Sequence, residues 1–126
     1  MRMKVNRIIL SAIIATNLVA CSSVESDMKS FMKCGMAANQ LERSVAAQNI
    51  STKMAQYIRE NNVDGSAQYA MHLGQEVRDD LALYDKSLEG QIYTLVKVYN
   101  SSTCRDMHEQ EKVKMPFLYY LAYIFI

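Results

Sequence analysis

The sequence predicts an all-α domain, a small antiparallel helical hairpin or three-helix bundle held by one disulfide. Three observations carry that expectation. Pro occurs once, as Pro116, and Gly four times, so the chain offers few places to turn. Helix formers such as Ala, Leu, Met, Gln, Glu and Lys dominate. Apolar residues recur at steps of three and four, with little of the strict alternation a half-buried strand requires.

The first element, residues 1–20, has the three parts of an export signal. Arg2, Lys4 and Arg7 make a positive start with no acidic residue to offset it. Ile8 to Ala15 form a short apolar stretch interrupted by Ser11, and Thr16 and Asn17 lead into Leu18-Val19-Ala20-Cys21. A spanning helix needs about 20 apolar residues, and polar Ser22 and Ser23 arrive before that length is reached. The tetrapeptide resembles the lipobox of bacterial lipoprotein signals, a resemblance confined to residues 1–21. It implies cleavage between Ala20 and Cys21 and a diacylglycerol thioether on Cys21, with N-acylation there in Gram-negative bacteria. In that class an acidic residue after the cysteine favours retention at the inner membrane. Ser22 stands there instead, so the resemblance implies an outer-membrane anchor facing the periplasm, with acyl groups such as palmitate on Cys21. A single acyl chain holds weakly, at about 0.8 kcal/mol per buried CH₂, whereas two or three hold essentially for good.

Removing residues 1–20 leaves one domain's length of chain. Residues 21–126 keep 11 of the 14 basic side chains and all 13 acidic ones, a net charge of −2. That balance leaves no basic patch for nucleic acid. The expected organisation is a tether at 21–25, a helical domain at 26–115 and an apolar tail at 116–126. With Cys21 acylated, Cys34 and Cys104 remain, an even pair that reads as a disulfide in an exported protein.

The first helix of the domain is expected to begin by Ser26, after a Ser22/Glu25 capping-box spacing. Phe31, Cys34, Ala38, Leu41 and Val45 form its apolar face, continued by Met54 and Ile58. The polar run through Gln48-Asn49 and Ser51-Thr52-Lys53 marks a place for a bend. Asn61-Asn62-Val63-Asp64-Gly65 is a stop and turn. A second long helix is expected from Ser66, with Tyr69, Leu73, Val77, Leu81, Tyr84, Leu88, Ile92, Leu95 and Tyr99 forming a near-heptad seam. Glu89-Gly90 is its expected kink. Ile92 to Tyr99 is β-branched and aromatic, but the spacing favours helix. For Cys104 to meet Cys34 the chain must reverse after Tyr99, and Asn100-Ser101-Ser102-Thr103 suits a reversal. Thr103-Cys104-Arg105-Asp106 then reads as the capping box of a third helix, with Asp106, Glu109 and Glu111 early, Lys112 and Lys114 late, and Met115-Pro116 at its end. The uncharged run Phe117 to Ile126 has three readings: a last core element, a segment at the membrane interface, or a terminus no fold requires.

Residue types for catalysis are sparse. There is no Gly-rich phosphate loop, nucleophile elbow or two-histidine metalloprotease helix. His72 with Glu76, and Cys104 with His108, stand four apart, but a zinc site needs three or four ligands. Surface histidines beside acids account for both, and no metal or cofactor is expected. Met28, Met32 and Met36 line one helix face and suit core packing, a partner surface or Cu(I). An unpaired Cys104 at a helix start would be a reactive thiol. Glu76, Arg78, Asp79 and Asp80 read as a solvated charged face. The expectation is a non-enzymatic lipid-anchored envelope protein acting through contact with a protein partner. The alternatives are a redox or metal-handling protein using Cys34, Cys104 and the methionines, or a membrane-perturbing lipoprotein using the tail.

Overall fold

A computed structural model describes residues 24–115. The expected signal, the Ala20–Cys21 cleavage site and the apolar tail 116–126 lie outside the described residues. Within them the chain is all-α: helices α1 (residues 24–40), α2 (Ser44–Glu60), α3 (Ala67–Leu81), α4 (Leu88–Tyr99) and α5 (Ser102–His108), with a 3-10 turn at Leu83–Asp85. No strand occurs among the described residues.

Both long helices expected from the apolar spacing are broken in two. The first, expected to bend near 48–53, instead reverses at 41–43. Glu42 takes a left-handed conformation (φ 56°), its N–H donates to the Asn39 carbonyl, and the Arg43 N–H donates to the Ala38 carbonyl at 2.8 Å. That hydrogen-bond pair is a Schellman closure. α2 then runs back along α1: Tyr57 Oη donates to Asp27 Oδ2 at 2.8 Å, and the Phe31 and Tyr57 rings lie 5.4 Å apart. The polar run at 48–53 sits inside regular helix, with Thr52 Oγ1 donating to the Gln48 carbonyl one turn back.

The turn at Asn61–Ser66 is where the sequence places it. Asn62 is left-handed (φ 49°), the Val63 N–H donates to the Ile58 carbonyl, and Ser66 Oγ accepts from the Tyr69 N–H as the N-cap of α3. α3 lies beside α1 in the same direction. Lys29 meets Glu76, Met32 abuts Gly74, and Met36 shares a cleft with Leu81.

The second long helix breaks at Ala82, not at Glu89-Gly90. Ala82 adopts φ 46°, ψ 41°, and Lys86 Nζ donates to the Leu81 and Ala82 carbonyls, capping the C-terminus of α3 with a positive charge. Ser87 Oγ then accepts from the Gly90 N–H, so Gly90 belongs to the first turn of α4. The third helix also differs from expectation. Its cap is Ser101 rather than Thr103, and it ends at His108, with Glu109 left-handed at φ 54°. Glu111, Lys112 and Lys114 therefore lie beyond it and do not act on its dipole.

One core joins α1, α2, α4 and α5. Phe31, Cys34, Ala37 and Ala38 of α1 pack with Ala46 and Ile50 of α2, Leu95 and Tyr99 of α4, and Cys104 of α5. The Cys34–Cys104 disulfide is formed, with Cα atoms 5.3 Å apart, and ties the central helix to the last one.

Candidate functional site

α5 is seven residues long, too short to be stable alone. Its orphan carbonyls are satisfied from outside: Asn49 Nδ2 donates to the His108 carbonyl and Lys53 Nζ to the Asp106 carbonyl, each at 2.8 Å. The Glu109 N–H closes on the Arg105 carbonyl. Asn100 holds the following segment through a two-way pair with the Val113 backbone, each bond 2.8 Å long.

His108 is fully buried and stacked on Tyr99, centroids 4.2 Å apart. This corrects the expectation of a surface histidine. The Gln110 N–H donates to Nδ1 at 2.9 Å, so Nδ1 is an acceptor, and the ring proton belongs on Nε2, 3.0 Å from the Tyr99 carbonyl. Both nitrogens are thus engaged by backbone, a structural arrangement. His72 is exposed, with Nε2 3.5 Å from Glu76 Oε1. Cys104, the other half of the expected Cys104/His108 spacing, is bonded to Cys34. Among the described residues, no three His, Cys, Asp or Glu side chains converge as a metal site requires. Nor is any described helix long and apolar enough to cross a membrane.

The methionine stripe packs inward. Met28 is buried, Met32 and Met36 are half-buried, and the last two face α3 and the corner that follows it. The charged face of α3 is exposed at Arg78, Asp79 and Asp80, as expected, and half-buried at Glu76, where it also pairs with α1. Lys33 Nζ reaches Asp80 Oδ2 at 2.9 Å, and Lys29 Nζ reaches Asp80 at 3.3 Å and Glu76 at 3.6 Å. Hydrogen bonds from Lys33 and then Lys29 hold the Asp80 carboxyl below its ordinary range, and Asp80 in return raises the Lys29 ammonium. Lys29 and Lys33 stand four apart, as do Glu76 and Asp80. That complementary spacing was the available signal, though pairing them required knowing that α1 and α3 run in parallel.

The feature the sequence did not reveal is the corner between α3 and α4. Tyr84 and Leu88 belong to the heptad seam and were expected in the core, yet they are 72% and 67% exposed. The break at Ala82 turns them out while Leu73, Val77 and Leu81 before it, and Leu95 and Tyr99 after it, stay buried. Beside them Met36, Gln40, Arg78, Leu81, Leu83 and Tyr84 line a shallow, mostly apolar cleft of about 220 Å³. Exposed side chains of this size next to an apolar cleft are a candidate protein-contact surface.

The fold and this surface define a small disulfide-stapled helical domain with an apolar corner between α3 and α4. No family model matches the chain, and no curated protein or solved structure resembles it at a significant level.

Proposed function

We propose that this chain is a lipid-anchored bacterial envelope protein that acts by contact with a protein partner rather than by catalysis. The observation that carries the reading is Leu18-Val19-Ala20-Cys21 placed directly after a basic start and a short apolar stretch. The disulfide supports it, because such bonds persist in exported proteins and are rare in the cytosol. Ser22, which is not acidic, favours the periplasmic face of the outer membrane as the site of the anchor. The partner surface is the α3–α4 corner, where Tyr84 and Leu88 are exposed beside the apolar cleft.

Residues 110–113 border the α1–α2 turn near Arg43 and Val45.

The test is Cys21→Ser, followed by palmitate labelling and membrane fractionation in a Gram-negative host. The wild type is expected to incorporate label and sediment with outer membrane, and the variant to lose the label and move to the periplasmic fraction. An unlabelled wild type, or a variant that fractionates like it, overturns the anchor.

A further inference from the structure

We infer that the domain stands on the bilayer by one defined end, the start of α1 together with the α2–α3 turn, and holds the apolar corner away from the lipid. This inference rests on acylation of Cys21. Only three residue steps separate Cys21 from Val24, where α1 is already helical, so the anchor lies within about 11 Å of that point. α1 cannot lie along a membrane, because every residue from 27 to 38 is buried or half-buried under its neighbours. Only its two ends emerge: Glu25 and Ser26 are exposed at the start, Asn39 and Gln40 at the far end.

The elements sharing that end are fixed by contacts. Tyr57 of α2 bonds to Asp27, and Tyr69 in the first turn of α3 lies within electrostatic range of Glu25 and Asp64. The face so formed is mainly polar, with Ser26, Asn61, Asn62, Ser66 and Gln68 exposed and Met71 the exposed apolar side chain one turn further along α3. It suits contact with lipid headgroups without insertion. Its charges are Glu25, Asp27, Glu60 and Asp64 against Arg59, so adhesion to anionic lipid is not what holds it. Orientation comes from the short tether and the enclosed helix.

The opposite end carries the α1–α2 turn and the α3–α4 corner, since Met36 and Gln40 meet Leu81, Leu83 and Tyr84 there. α1 and α2 are each 17 residues long, about 25 Å of helix. Tyr84 and Leu88 are thus presented roughly one helix length above the membrane, within reach of a periplasmic partner and out of reach of lipid.

The chain has no Trp, so single-Trp variants report position without background. Gln68→Trp and Glu60→Trp mark the near end at exposed helical positions, and Tyr84→Trp marks the far end. The full acylated protein is reconstituted in vesicles containing dansyl-headgroup lipid, and energy transfer from Trp is measured after flotation. Both near-end variants are expected to be quenched severalfold more than Tyr84→Trp. Equal quenching, or stronger quenching at Tyr84→Trp, in protein that floats overturns the orientation and leaves the anchor standing. Protein that neither takes up palmitate nor floats overturns both.

Discussion

Reducing the Cys34–Cys104 bond should cost this domain much of its stability and release one identifiable part of it. The bond closes a separation of 70 residues, for which the chain-entropy account gives about 4 kcal/mol. A domain of this size commonly has only about 5–15 kcal/mol in total. What remains to hold α5 after reduction includes the side-chain bonds from Asn49 and Lys53, the Tyr99–His108 stack, the packing of Met107, the Lys53–Glu109 ion pair and the Asn100–Val113 pair. Each hydrogen bond contributes a net of about 1 kcal/mol. The assay is urea denaturation of the Cys21→Ser protein, oxidised and reduced, followed by circular dichroism. At an m-value of about 1.5 kcal/mol/M, the midpoint falls by roughly 2.5 M on reduction. Amide exchange adds the location: protection at 102–115 should fall first, while α2, held to α1 independently, keeps its protection. A loss below about 1 kcal/mol would refute the reasoning, because the unfolded chain would then gain little freedom from the opened bond. Uniform loss of protection across α2 and α5 would refute the local part of it.

Ala82→Gly should stabilise the domain by about 0.5–1 kcal/mol in the same urea assay, since φ 46° costs a Cβ-bearing residue and suits Gly. A destabilised variant would mean Ala82 is not left-handed in solution. His108→Leu keeps the volume but leaves the buried Tyr99 carbonyl and the Gln110 N–H without their ring partners. It should cost about 2–4 kcal/mol, and a cost under about 1 kcal/mol would show that the stack alone matters. Asp80 is held below its ordinary range, so its contribution is present above about pH 4 and is lost as pH falls through the lowered folded value. Asp80→Asn should therefore flatten the acid limb of the stability curve, and an unchanged slope would show that the Lys29 and Lys33 pairs are fully screened.

Helix identity was legible in this sequence, and so was the disulfide, which follows from cysteine parity once Cys21 is set aside. Most helix ends were not legible, for a specific reason. Four described residues hold the left-handed conformation that stops a helix or reverses the chain, and none of them is Gly: Glu42, Asn62, Ala82 and Glu109. Asn tolerates that conformation, and the Asn61-Asn62 turn was visible. Glu and Ala carry no such signal, and each of the three turns they occupy was missed or misplaced. Periodicity added to the error. The 3.5-residue spacing from Leu73 to Tyr99 runs unbroken through a break, because spacing registers sequence separation and not direction. His108 was illegible for another reason. Its partners are the Tyr99 carbonyl and the Gln110 N–H, and backbone groups leave no side-chain pattern to read.

The misreadings also bear on function, because they are not spread evenly. At Glu42 a helix ends without Gly and the chain folds back under a Schellman closure, with one exposed apolar side chain, Val45, following. At Glu109 the same conformation is backed by side chains from α2 that satisfy the preceding helix. At the α3–α4 corner three departures from local rules coincide: a left-handed Ala82, two large apolar side chains turned to solvent, and an open, mostly apolar cleft that Tyr84 helps to line. A chain under selection for stability alone would remove such a combination with a Gly at 82 and polar residues at 84 and 88. Lys86, which caps both Leu81 and Ala82, instead holds the corner in place. Local strain maintained by a dedicated support, with exposed apolar surface beside it, is the pattern expected where a fold meets a partner. Replacing Tyr84 and Leu88 together by Ser is therefore expected to leave the urea midpoint nearly unchanged, because neither side chain is buried, while removing the proposed partner contact from crosslinked envelopes. A large loss of stability in that double variant would make the corner part of the core after all.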